Sequence, residues 1–220
     1  MKSLIRRAEA PRKLQERQKK HSNGPGNLSS AKLWQRFRRS SARKETIEAL
    51  MEMQGAYCAY CEDQISEGNR HIDHFYPKSL YQEKIFDWDN LFLSCGNDHS
   101  THCGHGKGDK DPINVIKPDR DNPVDYFAYN AGGEVIARED ISQEMQERAK
   151  NTISLLVLND PLLRDKRIRR YENLLKNIKE QWLSSSEVDY RQQFSALADK
   201  VRGHAFGEFL FYLIQERLKN

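Results

Sequence analysis

The 220-residue sequence has no apolar run of about 18 residues, the length a membrane-spanning helix needs. Its opening, MKSLIRRAEAPRK, lacks the apolar stretch of a secretory signal, so a cytoplasmic location is expected. No GxxxxGK[ST] run is present, which excludes P-loop ATP hydrolysis by this chain itself. No internal repeat or low-complexity tract marks it as a solenoid or a fibrous protein. Cysteine is scarce, and Cys58, Cys61, Cys95 and Cys103 all fall within one quarter of the chain. Without an export signal, such clustering points to a bound metal before disulfides.

Charge is present in quantity and unevenly spread. Residues 1–50 hold 14 Lys+Arg against 4 Asp+Glu, and the other 170 residues hold 22 against 28. A basic leading segment suits phosphates or an acidic partner surface, and a solvated tail over residues 1–27 fits the same composition. With 37% hydrophobic residues the chain still supports a modest core.

Gly and Pro in HSNGPGNLSS (residues 21–30) break the chain, and Ser29 or Ser30 can cap a following helix. Leu33, Trp34, Phe37, Ile47, Leu50 and Met51 recur at three- and four-residue spacings, which predicts a helix over 31–54 ended by Gly55. Residues 56–112 read as short strands and loops. Gly132-Gly133 is a hairpin signal between residues 126–129 and 135–137. Helices are expected over 141–158, about 162–183 and, after a break at SSSEV, from about Val188 to Leu218. In the last of these, Phe206, Phe209, Leu210, Leu213 and Ile214 span a wide apolar arc, which suits a core or a partner-binding surface. The expected fold is α+β and mostly helical. It comprises a basic arm at 1–28, a helix with a small metal-stapled unit at 29–130, and a helical part at 131–220 suited to docking a partner.

The stretch YCAYCEDQISEGNRHIDHFYPKS (residues 57–79) holds two sets of ligands. Cys58-x-x-Cys61 forms a knuckle that needs a second pair to complete a tetrahedral zinc site, and Cys95 and Cys103 supply it. Seven residues separate that pair, a looser spacing than usual, and His99 or His102 in the insert can replace a cysteine. Four thiolates leave no open position, so this zinc would be structural. Asp73 is a hard oxygen donor suited to Mg2+ or Mn2+. His74 lies on the opposite side of an extended chain, free to act as a base. Asn90, in DWDNLFLSC, can accept a hydrogen bond from its second ring nitrogen. His105, in CGHGKGD, can add a second metal ligand, with Asn97, His99 and His102 as alternatives. Lys78 and Lys107 lie beside the motif and suit non-scissile phosphates or an ordinary surface. His71 shares a strand face with Asp73 and either assists it or is structural.

The order Cys-x-x-Cys, Asp-His-x-x-Pro-Lys-Ser, Asp-Asn-Leu, Cys…Cys, Lys-Gly-Asp resembles the HNH endonucleases, which are ββα-metal nucleases with a supporting zinc. Over most of the chain, LIRRAEAPRKL, AYCAYCE, DWDNLFLSCGN and NTISLLVLND…LRDKRIRRYENLL resemble the nuclease subunit of Septu-type anti-phage systems, some of which accompany retrons. The resemblance implies His74 as general base, Asp73 as divalent-metal ligand and Asn90 as the residue that orients His74. It also implies a DNA substrate and a partner ATPase. The sequence departs from the pattern at Gly104, where many relatives carry His or Asn, and in the long Cys95–Cys103 spacing. A non-catalytic zinc module that binds nucleic acid or scaffolds a complex, and a free-standing restriction-type nuclease, are the other readings.

Overall fold

The computed structural model describes residues 1–23, 29–97, 99–183, 196–198 and 200–219. Three helices come first: α1 (Arg12–Asn23), α2 (Ser30–Arg38) and α3 (Ser41–Gln54). The single helix expected over 31–54 is therefore two. At Ser40 the backbone is extended, and both its N–H and its hydroxyl donate to the Phe37 carbonyl. A serine that satisfies the backbone locally competes with helix continuation in this way. The break separates two apolar faces. Trp34 stacks on Phe37 with ring centroids 4.6 Å apart, while Ala42, Thr46, Ile47, Ala49 and Leu50 of α3 are buried. Gly55 ends α3 in the left-handed conformation, φ 66°, which glycine adopts without a side-chain clash.

The leading segment packs into the protein and is no solvated tail over its described residues. Met1, Leu4 and Leu14 belong to the common core. Arg6 reaches inward, with Nε 2.6 Å from Asp119 Oδ2, and Nη1 and Nη2 donating to the carbonyls of Trp88 and Leu91. Its guanidinium lies 4.8 Å and 4.6 Å from the ring centroids of Trp88 and Phe92. Part of the basic charge read from the sequence is thus committed to internal contacts.

Strands β1 (Arg70–His74) and β2 (Leu91–Cys95) pair antiparallel, with Asp73 opposite Phe92 and His74 opposite Leu91. Every residue of β2 is buried. The side chain of Gln54, at the end of α3, clamps it by donating to the Leu93 carbonyl and accepting from the Leu93 N–H. A loop after β2 leads to α4 (Cys103–Lys107), which is only five residues long.

The hairpin expected at Gly132-Gly133 is present as β3 (Phe127–Tyr129) and β4 (Val135–Ala137). Gly133 takes φ 73° and passes so close to the backbone of Arg164 that an added Cβ would lie 2.7 Å from its carbonyl oxygen. The helices α5 (Gln143–Leu155), α6 (Pro161–Leu183) and α7 (Gly207–Lys219) complete the described chain. The break at SSSEV, the helix start at Val188 and Phe194 lie outside the described residues. Within them the expected last helix is interrupted by turns before α7. Phe206 takes φ 56° and its N–H donates to the Glu62 carbonyl, while the Glu208 N–H donates to the Glu62 carboxylate. These bonds tie the C-terminal helices to the cysteine knuckle. Phe206, Phe209, Leu210, Leu213 and Ile214 are buried, so the apolar arc is core. The protein is α+β and roughly half helical. Among the described residues no helix is long and apolar enough to cross a membrane.

Candidate active site and metal centre

The four cysteines come from three places: the loop after α3 (Cys58, Cys61), the end of β2 (Cys95) and the first residue of α4 (Cys103). All are buried, and their sulfurs lie within 4.8 Å of one another. A tetrahedral zinc with bonds of about 2.3 Å sets sulfurs about 3.8 Å apart, which this cluster brackets; Cys61 and Cys95 are at 3.5 Å. Cys103 sits at φ 56°, a conformation that costs a residue with a side chain about 1–3 kcal/mol and persists where the surroundings impose it. Here the Cys103 N–H is held by the Leu156 carbonyl at 2.7 Å. Four thiols at this range cannot all ionise unaided. Burial pushes Cys103 well above the ordinary thiol range. At Cys58, burial is outweighed by hydrogen bonds from Cys103, Cys61 and Cys95, which hold it well below that range. A soft dication removes the conflict, so the donor set fits a metal such as zinc. His102 is not among the four donors. Its Nδ1 lies 3.4 Å from Cys103 Sγ and 3.7 Å from Cys95 Sγ, where it supports the cluster from outside. His99 is exposed.

Asp73 stands next to this cluster in β1 and is 8% exposed. The Tyr60 hydroxyl donates to its Oδ2 at 2.6 Å, and Lys107 Nζ lies 3.5 Å from its Oδ1. Burial, then the charge of Asp73, pushes the Tyr60 phenol well above its ordinary range, so it remains a donor. Tyr60 was not singled out in the sequence, although its place between two knuckle cysteines is a signal for it. Lys107 corrects an expectation. It is not an ordinary surface residue: it is 1% exposed, lines the cleft and donates to the carbonyls of His74 and Gly108.

His74 follows Asp73 and points to the other side of β1, as an extended chain requires. Its ring packs against Trp34 of α2 at 4.3 Å between centroids, and its Nε2 is 3.0 Å from the Ile85 carbonyl. An Nε2–H donated there leaves Nδ1 as the acceptor. Burial lowers its pKa to about 4 against the opposing pull of the Ile85 carbonyl and Asp73, so the ring is neutral at pH 7. Among the described residues no hydrogen bond joins Asn90 to this ring, contrary to the expectation. It accepts from the Tyr76 N–H at 2.7 Å and donates to the carbonyls of Tyr76 and Lys84. Asn90 therefore closes the loop that carries the Ile85 carbonyl, one step away from the imidazole.

Both residues open on one cleft of about 600 Å³. Its rim carries Arg38 and Arg43 from α2 and α3, Arg70 from β1, and Lys78, none of which has a carboxylate partner among the described residues. His71, His105 and Asn97 line it as well. Asp73 and His71 approach each other over Gly104, and the rings of His71 and His105 are 4.1 Å apart. Among the described residues only the four cysteines bring three or more ligand atoms within 4.8 Å of each other. A buried carboxylate beside imidazoles nevertheless offers the oxygen and nitrogen donors that a Mn2+-type cation takes.

A carboxylate and a neutral imidazole thus share a cation-lined cleft that is backed by a four-thiol cluster. Two curated proteins are similar to the chain. One, from Vibrio cholerae serotype O1 biovar El Tor, carries the name of an HNH endonuclease of retron Vc95. It is 28% identical over 142 residues, which are 62% of this chain and 68% of that protein. The other is the Septu protein PtuB of Bacillus thuringiensis, 30% identical over 153 residues, 64% of this chain and 53% of that protein. The match thus spans about half the length of the Septu protein. No protein-family model matches the chain. Both relatives bear out the resemblance to HNH-type defence nucleases read from the sequence.

Proposed function

We propose that the chain is a metal-dependent HNH endonuclease that hydrolyses phosphodiester bonds of DNA in the cytoplasm, as the effector of an anti-phage complex with a partner ATPase. In this reading β1, β2 and α4 form the ββα-metal unit, and the cysteines hold a structural zinc. The observation that carries it is the placement of Asp73 and His74 on a cleft lined by four cations that have no carboxylate partner among the described residues. Asp73 and His105 would hold a Mg2+ or Mn2+ ion, which supplies Lewis-acid stabilisation of the scissile phosphate and the leaving oxygen. His74 accepts the proton of the attacking water at Nδ1, while the Ile85 carbonyl fixes the tautomer through Nε2. Asn90 keeps that carbonyl in place. Arg38, Arg43, Arg70 and Lys78 bind the flanking phosphates, which makes affinity salt-dependent. The names of the two relatives support the defence setting.

The test is cleavage of supercoiled plasmid by the zinc-loaded protein with Mg2+ or Mn2+, alone and with any ATPase co-purified from its natural neighbours. Cleavage that requires the cation and disappears in Asp73→Asn is expected. Salt-steep DNA binding without cleavage in either preparation would overturn the proposal in favour of a non-catalytic zinc module.

A further inference from the structure

We propose that His71 is a further ligand to the cation held at Asp73, and that this imidazole tilts the site toward Mn2+ over Mg2+. The inference rests on the reading that Asp73 binds a divalent ion. His71 and Asp73 are two residues apart in β1 and so share a face. Both lean over Gly104 in α4. A Cβ added there would lie 2.7 Å from His71 Nε2 and 2.8 Å from Asp73 Cγ. The nitrogen and the carboxylate therefore meet above one α-carbon, and only the absence of a side chain at 104 keeps that space open. His71 lines the cleft, and among the described residues its Nε2 makes no hydrogen bond. On the far side of the ring, Nδ1 is buried without a hydrogen-bond partner among the described residues.

A histidine that only filled the core would be expected to have its ring nitrogens satisfied. His71 Nε2 stands beside the Asp73 carboxylate with its lone pair free to ligate a cation, and imidazole nitrogen is a common donor to transition dications. The ring of His105, 4.1 Å away, stands beside the same opening. Mg2+ prefers oxygen donors and near-ideal octahedral geometry, whereas imidazole nitrogen favours transition dications. The residue type at 71 therefore bears on metal choice.

The experiment is Mn2+ titration of the full-length, zinc-loaded protein, with free Mn2+ read by electron paramagnetic resonance and Mg2+ measured by competition. Zinc content and circular dichroism report the fold. His71→Ala is expected to weaken Mn2+ binding at least about tenfold, the lower bound seen for loss of residues that merely support a ligand. Mg2+ binding should fall less. His71→Leu, which fills the space but offers no donor, should behave alike and covers the case in which the alanine variant fails to fold. If Asp73→Asn weakens Mn2+ while both His71 variants bind it within twofold of wild type, the role of His71 is refuted and the cation site stands. If Asp73→Asn leaves Mn2+ binding unchanged, the cation reading itself fails.

Discussion

Replacing His74 with alanine separates chemistry from stability in one variant. The ring's hydrogen bond to Ile85 is buried, so its loss leaves a carbonyl unpaired, at about 1–3 kcal/mol. Losing the edge contact with Trp34 adds about 0.5–1.5 kcal/mol. The variant should then be less stable by roughly 2–4 kcal/mol, which for a chain of this length lowers Tm by about 5–15 °C. Typical stabilities of about 5–15 kcal/mol leave most of it folded at 25 °C. Cleavage at that temperature should nonetheless fall by about 10²–10⁴-fold, the contribution of a positioned general base. Calorimetry on the zinc-loaded protein reads the first effect, and plasmid nicking in Mn2+ reads the second. Cleavage within tenfold of wild type would remove His74 from the chemistry. An unchanged Tm would show that the Ile85 and Trp34 contacts do not hold the ring.

Cys95→Ser should lose its bound zinc, measured by elemental analysis, and unfold at a much lower temperature, because metal binding to such clusters is folding free energy; full zinc retention would count against the four-thiolate site. Arg6→Ala should cost about 3 kcal/mol in urea unfolding, near the low end for a broken buried pair because Lys117 still neighbours Asp119; a loss under about 1 kcal/mol would mean that the leading segment is loosely docked. His74 has a folded pKa near 4, against about 6.5 unfolded. Between those values the unfolded chain binds the extra proton, so stability from the neutral ring is complete above about pH 6.5 and is lost as pH falls toward 4. Its ring proton signal in NMR should stay unshifted down to about pH 5, and a midpoint near 6.5 would contradict the burial. Arg38→Ala with Arg43→Ala should lower the slope of log affinity against log salt by roughly 1–2 for DNA, since each phosphate contact contributes about 0.7–0.9; an unchanged slope would place the polynucleotide elsewhere.

Much of the site was legible because its signals are local. Cys58 and Cys61 are three residues apart, Asp73 and His74 are adjacent, and period-two alternation already puts the last two on opposite sides of β1. The hairpin was legible from Gly132-Gly133, and α5 and α6 from their apolar spacing. The roles of Lys107 and Asn90 were not. A lysine in CGHGKGD has a polar, glycine-rich context that reads as surface, and only the packing of α4 against β1 and β2 buries it behind the backbone of His74. Asn90 lies sixteen residues from His74, and whether it meets the ring or the loop behind the ring depends on the path of residues 75–90. The break at Ser40 was hidden because an apolar period survives a change of helix direction.

What this chain's sequence determined alone is the chemistry it carries: four soft sulfurs, a carboxylate, neighbouring imidazoles and a surplus of cations near one end. Those are properties of residue types and short spacings. The tertiary structure decided which of these groups share a space. It turned the basic arm inward through Arg6, brought α2 and α3 over the cleft so that Trp34 meets His74 and Arg38 and Arg43 reach its rim, and set Gly104 beneath His71 and Asp73. Such contacts join residues tens of positions apart, and their geometry is set by how whole elements pack, which no local pattern encodes.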